Sequence, residues 1–174
     1  RRAAGGKRRA AGGANAGSKP LARDPSDSYV ARMHISFALF ADAANLSQEG
    51  KLNILGVFDA LQVAGLPAVH PRASLVCRLK GDRSDAGLHR LTLRWLDPHG
   101  AEVWSTTGEL NVGEPPPGVP EMDLPIIAAV DLPISHAGRH IMRIVLDDEP
   151  KADISLHVRA AAKVPAPRTG GMVS

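Results

Sequence analysis

Apolar residues recur at every second position through most of this chain, in short runs separated by Gly, Pro, Asn and Asp. Ala73, Leu75, Cys77 and Leu79 alternate with Ser74, Val76, Arg78 and Lys80. Leu91, Leu93 and Trp95 alternate with Arg90, Thr92 and Arg94. His140, Met142, Ile144 and Leu146 form a third such set, and Ala152, Ile154, Leu156 and Val158 a fourth. A period of two places one set of side chains on a single face of a strand, whereas a helix would need a period near 3.6. The turn signals fall roughly every 8–12 residues, the spacing of a sandwich or barrel. The expectation is an all-β domain of about eight strands, with no amphipathic helix of normal length.

The other elements follow from the same reading. Met33, Ile35, Phe37 and Leu39 predict one face of a first strand, with His34, Ser36, Ala38 and Phe40 on the other and room for Phe40 to be covered as well. Asp42–Leu46 allows a short helical turn, and Asn45–Lys51 turns the chain. Leu52–Val63 reads as one second strand, with Gly56 marking a bulge or a close backbone approach. Pro67 and Pro71 bracket a connection. Asp97-Pro98-His99-Gly100 carries the residues of a type I turn, so 88–112 is a hairpin. Pro115-Pro116-Pro117-Gly118 reads as an extended crossing between sheets. Residues 123–132 contain Pro125, which confines that strand to an edge or a late start.

Composition bounds the rest. The 174 residues suit one domain with tails; 44% are hydrophobic but only 3% aromatic, so the core must be aliphatic. One cysteine, Cys77, permits no internal disulfide and points to a reducing, cytoplasmic compartment. No apolar run approaches the ~18 residues of a membrane span, and no apolar segment follows the basic start as in a secretory signal. The first residue, Arg1, reads as a terminus from which a start residue was removed or omitted.

The net charge of +3 is divided unevenly. Residues 1–23 contain Arg1, Arg2, Lys7, Arg8, Arg9, Lys19 and Arg23 and no acid, which leaves 14 of the 21 basic residues against 18 acidic ones, a net of −4. Arg1-Arg2-Ala3-Ala4-Gly5-Gly6 recurs as Arg8-Arg9-Ala10-Ala11-Gly12-Gly13. Such a segment buries too little apolar surface to offset its ordering entropy and is expected to be disordered alone. The chain therefore divides into a basic docking tail (1–28), a sandwich (29–160) and a C-terminal tail (161–174).

Few residues suggest chemistry. His136 and His140 have an x3 spacing, but Gly138 between them belongs to a turn, and two ligands make no closed metal site. His34, His89 and His157 fall at expected outward positions. Asp147-Asp148-Glu149 reads as a solvated hairpin tip rather than a cation cage, which needs six or more oxygens. Cys77 alternates with Leu75 and Leu79 and reads as a small core residue. No nucleophile motif or phosphate-cradling glycine loop is present. The expected catalytic, metal and cofactor residues are therefore none.

The stretch from Ser36 to Val158 resembles a family of uncharacterised bacterial β-sandwich domains. The likeness rests on Ala41-Asp42-Ala43-Ala44, on Glu49 through Asp59, on Pro67-Ala68-Val69-His70-Pro71, and on the strands around Gly138-Arg139-His140 and Ile154–Val158. It covers about three quarters of the chain, leaves out the basic tail, and is most specific between Glu49 and Asp59. It implies an immunoglobulin-like fold and no activity.

The sequence thus favours a non-catalytic accessory subunit whose seven tail cations dock on a larger assembly. The expected host is a membrane protein complex at its cytoplasmic face, an energy-converting or photosynthetic one among the candidates, with anionic lipid head groups close by. One alternative is a nucleic-acid-associated protein whose tail clamps phosphates; the absence of a tail aromatic speaks against stacking on single strands. The other is a small-ligand-binding sandwich, which the scarcity of aromatics disfavours.

Overall fold

A computed structural model describes residues 33–161. Nine strands follow one another: β1 (His34–Leu46), β2 (Leu52–Phe58), β3 (Ala60–Val63), β4 (Ala68–Gly81), β5 (Gly87–Leu96), β6 (Glu102–Val112), β7 (Met122–Ile134), β8 (Gly138–Leu146) and β9 (Glu149–Ala160). They form a four-stranded sheet in the order β2-β1-β4-β7 and a five-stranded sheet in the order β3-β9-β8-β5-β6. Every pairing is antiparallel except β3 with β9. The fold is an immunoglobulin-like antiparallel β-sandwich.

The alternating side chains meet between the sheets. Phe40, Leu75, Leu132 and Ile134 from one sheet pack with Trp95, Met142, Ile144 and Leu156 from the other, all essentially excluded from solvent. Burying each such side chain contributes about 1.5–3 kcal/mol. The Trp95 ring stands edge-on to Phe40 with centroids 6.1 Å apart, and its indole N–H donates to the Pro133 carbonyl at 2.9 Å. A second cluster of Met33, Leu79, Val112, Met122 and Leu146 closes one end. Met33 lies at that end, its N–H donating to Asp85; Ala161 lies at the other, its N–H donating to the Val63 carbonyl.

Several expectations are corrected. Leu52–Val63 is not one strand: the chain leaves the four-stranded sheet after Phe58 and joins the other at Ala60, which makes nine strands instead of eight. The register of β1 shifts between Ile35 and Phe37, so Ala38 and Phe40, not Phe37 and Leu39, pack on the core. A one-residue shift exchanges the two faces of a strand. Asp42–Leu46 is not helical but continues β1. β4 begins at Ala68 and runs through Pro71, absorbing it in a register shift between His70 and Ala73 where Arg72 has φ 52°. Other features match. β7 is an edge strand, as Pro125 requires, and residues 113–121 cross between sheets. The Gly100 N–H donates to the Asp97 carbonyl at 3.0 Å in the expected turn.

Candidate interaction surface

Two clusters of titratable groups lie at the two ends of the sandwich. At the Met33 end, the β8–β9 hairpin turns through Asp147 (φ 49°) and Asp148 (φ 65°), a two-residue turn with both residues left-handed. This turns the Asp147 carboxylate back onto β5, where it accepts from the Arg90 N–H at 2.9 Å and meets His89 Nδ1 at 2.6 Å. His89 Nε2 lies 2.8 Å from the Asp85 carbonyl oxygen. Both ring nitrogens thus face acceptors, which favours the doubly protonated ring. The hydrogen bond to Asp147 raises the His89 pKa against the opposing effect of burial, with the Asp85 carbonyl adding to the rise. The same bond and the Arg90 N–H hold Asp147 below the usual carboxylate range. His89 is therefore not an outward residue, and Asp147 is an anchor rather than a solvated acid. A ring with both nitrogens engaged cannot serve as a general base.

At the other end, Asp97, His99, His136 and His140 come together from two turns and the start of β8. The His99 and His136 rings meet edge to face at 5.2 Å, and His136 Nδ1 lies 3.9 Å from an Asp97 oxygen. His140 is fully buried and stacks on Trp95 at 5.1 Å and 14°. Its ring nitrogens are buried, and among the described residues the Gly138 backbone is the hydrogen-bonding group that acts on them. Burial lowers its pKa, partly offset by Gly138 and the Asp97 charge. Among the described residues no three His, Cys, Asp or Glu side chains converge on a metal position. Cys77 is buried in the core, and burial pushes its thiol up to about 11; at neutral pH it is protonated and inert. His34 and His157 are exposed. The seven tail cations lie outside the described residues.

The outer faces of the two sheets differ sharply. That of the five-stranded sheet is charged. Arg143 forks onto Asp153 with two bonds of 2.8 Å, Arg94 meets Glu102 at 3.0 Å, and Arg139 donates to Ser155 Oγ. The four-stranded sheet turns an apolar face outward. In register across its strands lie Val57, Ala41, Ser74 and Ala129; then Leu39, Val76 and Ile127; then Phe37, Arg78 and Pro125. Val76 points away from the core yet is fully buried, flanked by Leu39 and Ile127. Leu55 and Val57 on the edge strand β2 are 72% and 60% exposed. The charges at one end of this face are already paired: Arg78 with Asp123, Lys80 with Glu121. Ala41 on the same face is fully buried as well, and Gly50, Lys51 and Leu52 of the β1–β2 turn line one hollow with Arg78, Asp123 and Pro125, so the chain itself covers part of this face and leaves Leu55 and Val57 as its exposed apolar side chains. Sequence reasoning placed these residues on strands but read Phe37 and Leu39 as core. The signal lay in the alternate positions of β1, β4 and β7, which are apolar as well.

By architecture the chain is thus a β-sandwich domain of the immunoglobulin-like class. It belongs to a family of unknown function (DUF6941), whose model matches residues 36–159. Among solved structures it is similar to an alkylpurine DNA glycosylase (AlkC) of Pseudomonas fluorescens bound to DNA containing an abasic-site analogue. That match has 12% identity and a TM-score of 0.38, covering 75% of this chain and 31% of that one. It is also similar to an immunoglobulin-like protein of Pseudomonas aeruginosa, with 16% identity and a TM-score of 0.34, covering 75% of this chain and 99% of that one. The chain spans about a third of the glycosylase's length. No curated protein matches it in sequence. Among the described residues no helix is long and apolar enough to cross a membrane.

Proposed function

We propose that this chain is a non-catalytic accessory module of a larger protein assembly, with the sandwich as its rigid body. The observation that carries this is the exposed apolar pair Leu55 and Val57 on edge strand β2 of the four-stranded sheet, set against the charged outer face of the other. An apolar edge whose neighbouring charges are paired offers nothing to a phosphate backbone or a lipid head group. It suits a protein surface. The basic stretch, Arg1, Arg2, Lys7, Arg8, Arg9, Lys19 and Arg23, supplies the second contact, and its charge suits a membrane-associated host at a cytoplasmic face, of which an energy-converting complex is one kind. The arginines on the outer face of the five-stranded sheet do not favour the nucleic-acid reading, because Arg90, Arg94 and Arg143 each already meet a carboxylate. A cleft of about 560 Å³ is lined by Leu88, His89, Arg90, Thr107, Gly108, Glu109 and Asp147, with no Phe, Tyr or Trp to hold a small ligand.

Crosslinking mass spectrometry in the native source tests the proposal. Lys51 and Lys80 lie beside the apolar face, and Lys7 and Lys19 lie in the basic stretch. Crosslinks to protein are expected from both pairs, and deleting residues 1–28 should abolish co-purification with the host. Undiminished co-purification of the truncated chain would refute docking through that stretch. Absence of any intermolecular crosslink at Lys51 and Lys80 would refute the role of the face.

A further inference from the structure

Two open sheets leave four edge strands among the described residues, and three of them are closed to a further strand. β2 carries Gly56 at φ 67°, which breaks its extended backbone. β7 carries Pro125 and Pro133, which have no N–H to donate. β3 is four residues long. Such features guard an edge against strand addition. β6 has none of them. Its 11 residues include no proline and no left-handed residue, and from Trp104 to Val112 its register with β5 is unbroken. Residues 105–109 are exposed.

The same edge opens on the space between the sheets. Gly108 lies opposite the inward-facing Leu91, and a Cβ built on it would meet no other described atom within 4 Å. Where that side chain would stand there is a slot of about 280 Å³ between β6 and β7, lined by Leu91, Leu93, Leu110 and Ile126. An apolar cavity of about 150 Å³ already takes up a benzene ring, so the slot has room for one large apolar side chain. On the outer side of β6, Arg90 stands opposite Glu109 in the register but turns to Asp148 at 3.6 Å. Glu109 is exposed and makes no ion pair among the described residues. β6 contains no Lys or Arg, so two copies joined through it would bring acids together with no cation between them. The charge selects a basic strand rather than a second copy.

We propose that β6 accepts an extended peptide of a partner protein as an added strand. The peptide pairs along Trp104–Val112, inserts a Leu, Ile or Phe side chain into the slot beside Gly108, and sets a Lys or Arg, one residue along, against Glu109. Successive residues of a strand point to opposite faces, so one apolar-basic pair meets both features. Main-chain hydrogen bonds supply affinity and the slot supplies selectivity. This site is on the opposite sheet from Leu55 and Val57 and goes beyond the docking role of that edge.

Panning the full chain against a phage-displayed library of random nine-residue peptides tests the proposal, with fluorescence polarisation of the selected peptides as the measure of affinity. Proline-poor peptides with adjacent large apolar and basic residues are expected. Gly108→Leu fills the slot and should weaken their binding about ten- to a hundredfold, the worth of one buried aliphatic side chain, while circular dichroism shows the fold intact. Glu109→Lys, at an exposed position, should weaken them up to about fivefold and, in a second panning, replace the selected basic residue by an acid. Leu55→Ser/Val57→Ser should leave peptide binding unchanged. Selection of no peptide, or of peptides without the apolar-basic pair, overturns the proposal. So does binding that a folded Gly108→Leu variant retains, or that the Leu55→Ser/Val57→Ser variant loses. If Gly108→Leu does not fold, the charge preference after Glu109→Lys decides alone, and an unaltered preference overturns the proposal. Peptide binding by a chain that co-purifies with no host upholds this site and refutes the docking role proposed above.

Discussion

His140 and His89 share a residue type and have opposite effects on stability. His140 is buried with at most the Gly138 backbone as a hydrogen-bond partner, so its burial is a cost the fold carries. Its pKa is lowered, so the native state binds fewer protons than the unfolded chain, and stability is expected to fall as pH drops below the ordinary value of about 6.5. His89 is raised by Asp147; its contribution is full below about 6.5 and is lost as pH rises through its native pKa. Asp147 is lowered, so its share is present above about 3.9 and is lost only in stronger acid. His140→Phe should therefore raise the melting temperature, by a few degrees for about 1 kcal/mol, and flatten the acid side of the stability curve. Asp147→Asn should lower it most near pH 6 and flatten the neutral-to-alkaline side. Calorimetry between pH 4 and 9 reads both outcomes, and a His140→Phe variant less stable at every pH would refute the account. Sequence pattern correctly placed His140 among core positions, since it alternates with Met142 and Ile144. It read His89 as outward although His89 shares the parity of Leu91 and Leu93, and nothing local in the sequence announced a carboxylate 58 residues away.

The segment from Glu49 to Asp59 is where sequence and structure agree best in detail and differ most in arrangement. Gly56 was legible as a special backbone position. It has φ 67°, and a Cβ there would lie 2.1 Å from the Asp42 carboxylate. Gly56→Ala combines left-handed strain with displacement of Asp42 and should cost about 1–2 kcal/mol. Chemical denaturation reads this as a lower midpoint at unchanged slope. A variant as stable as the parent would show that the hairpin rearranges freely. The exchange of sheets at Asp59 was not legible, because apolar residues continue on both sides of it. The switch is held by a long-range bond, from the His157 N–H to the Asp59 carbonyl at 2.8 Å, not by a local turn signal. The shift near Ser36 was hidden for the same reason: both faces of β1 are apolar, so no pattern showed which one the core would take.

At the scale of the molecule, an all-β sandwich with Pro125 on an edge and a proline-rich crossing was readable from period and punctuation alone. Strand order was not, because it depends on pairings such as β3 with β9, nearly a hundred residues apart in the chain. The apolar outer face was equally hard to see. It consists of alternate residues that would be ordinary one by one and become informative only when register aligns them across four strands. The placement of Met33 and Ala161 at opposite ends has a mechanical meaning. A pull between them runs along β1 and β9, β1 paired first with β4 and further on with β2, β9 with β8 and near its end with β3. The ladders are then loaded in shear, many bonds together, rather than peeled one at a time. Single-molecule stretching should show one abrupt rupture at high force instead of a gradual unzipping, with the rate of that single event setting the lifetime under load. A module tethered by one end to a moving or crowded host would hold its shape under tension and fail, when it fails, all at once.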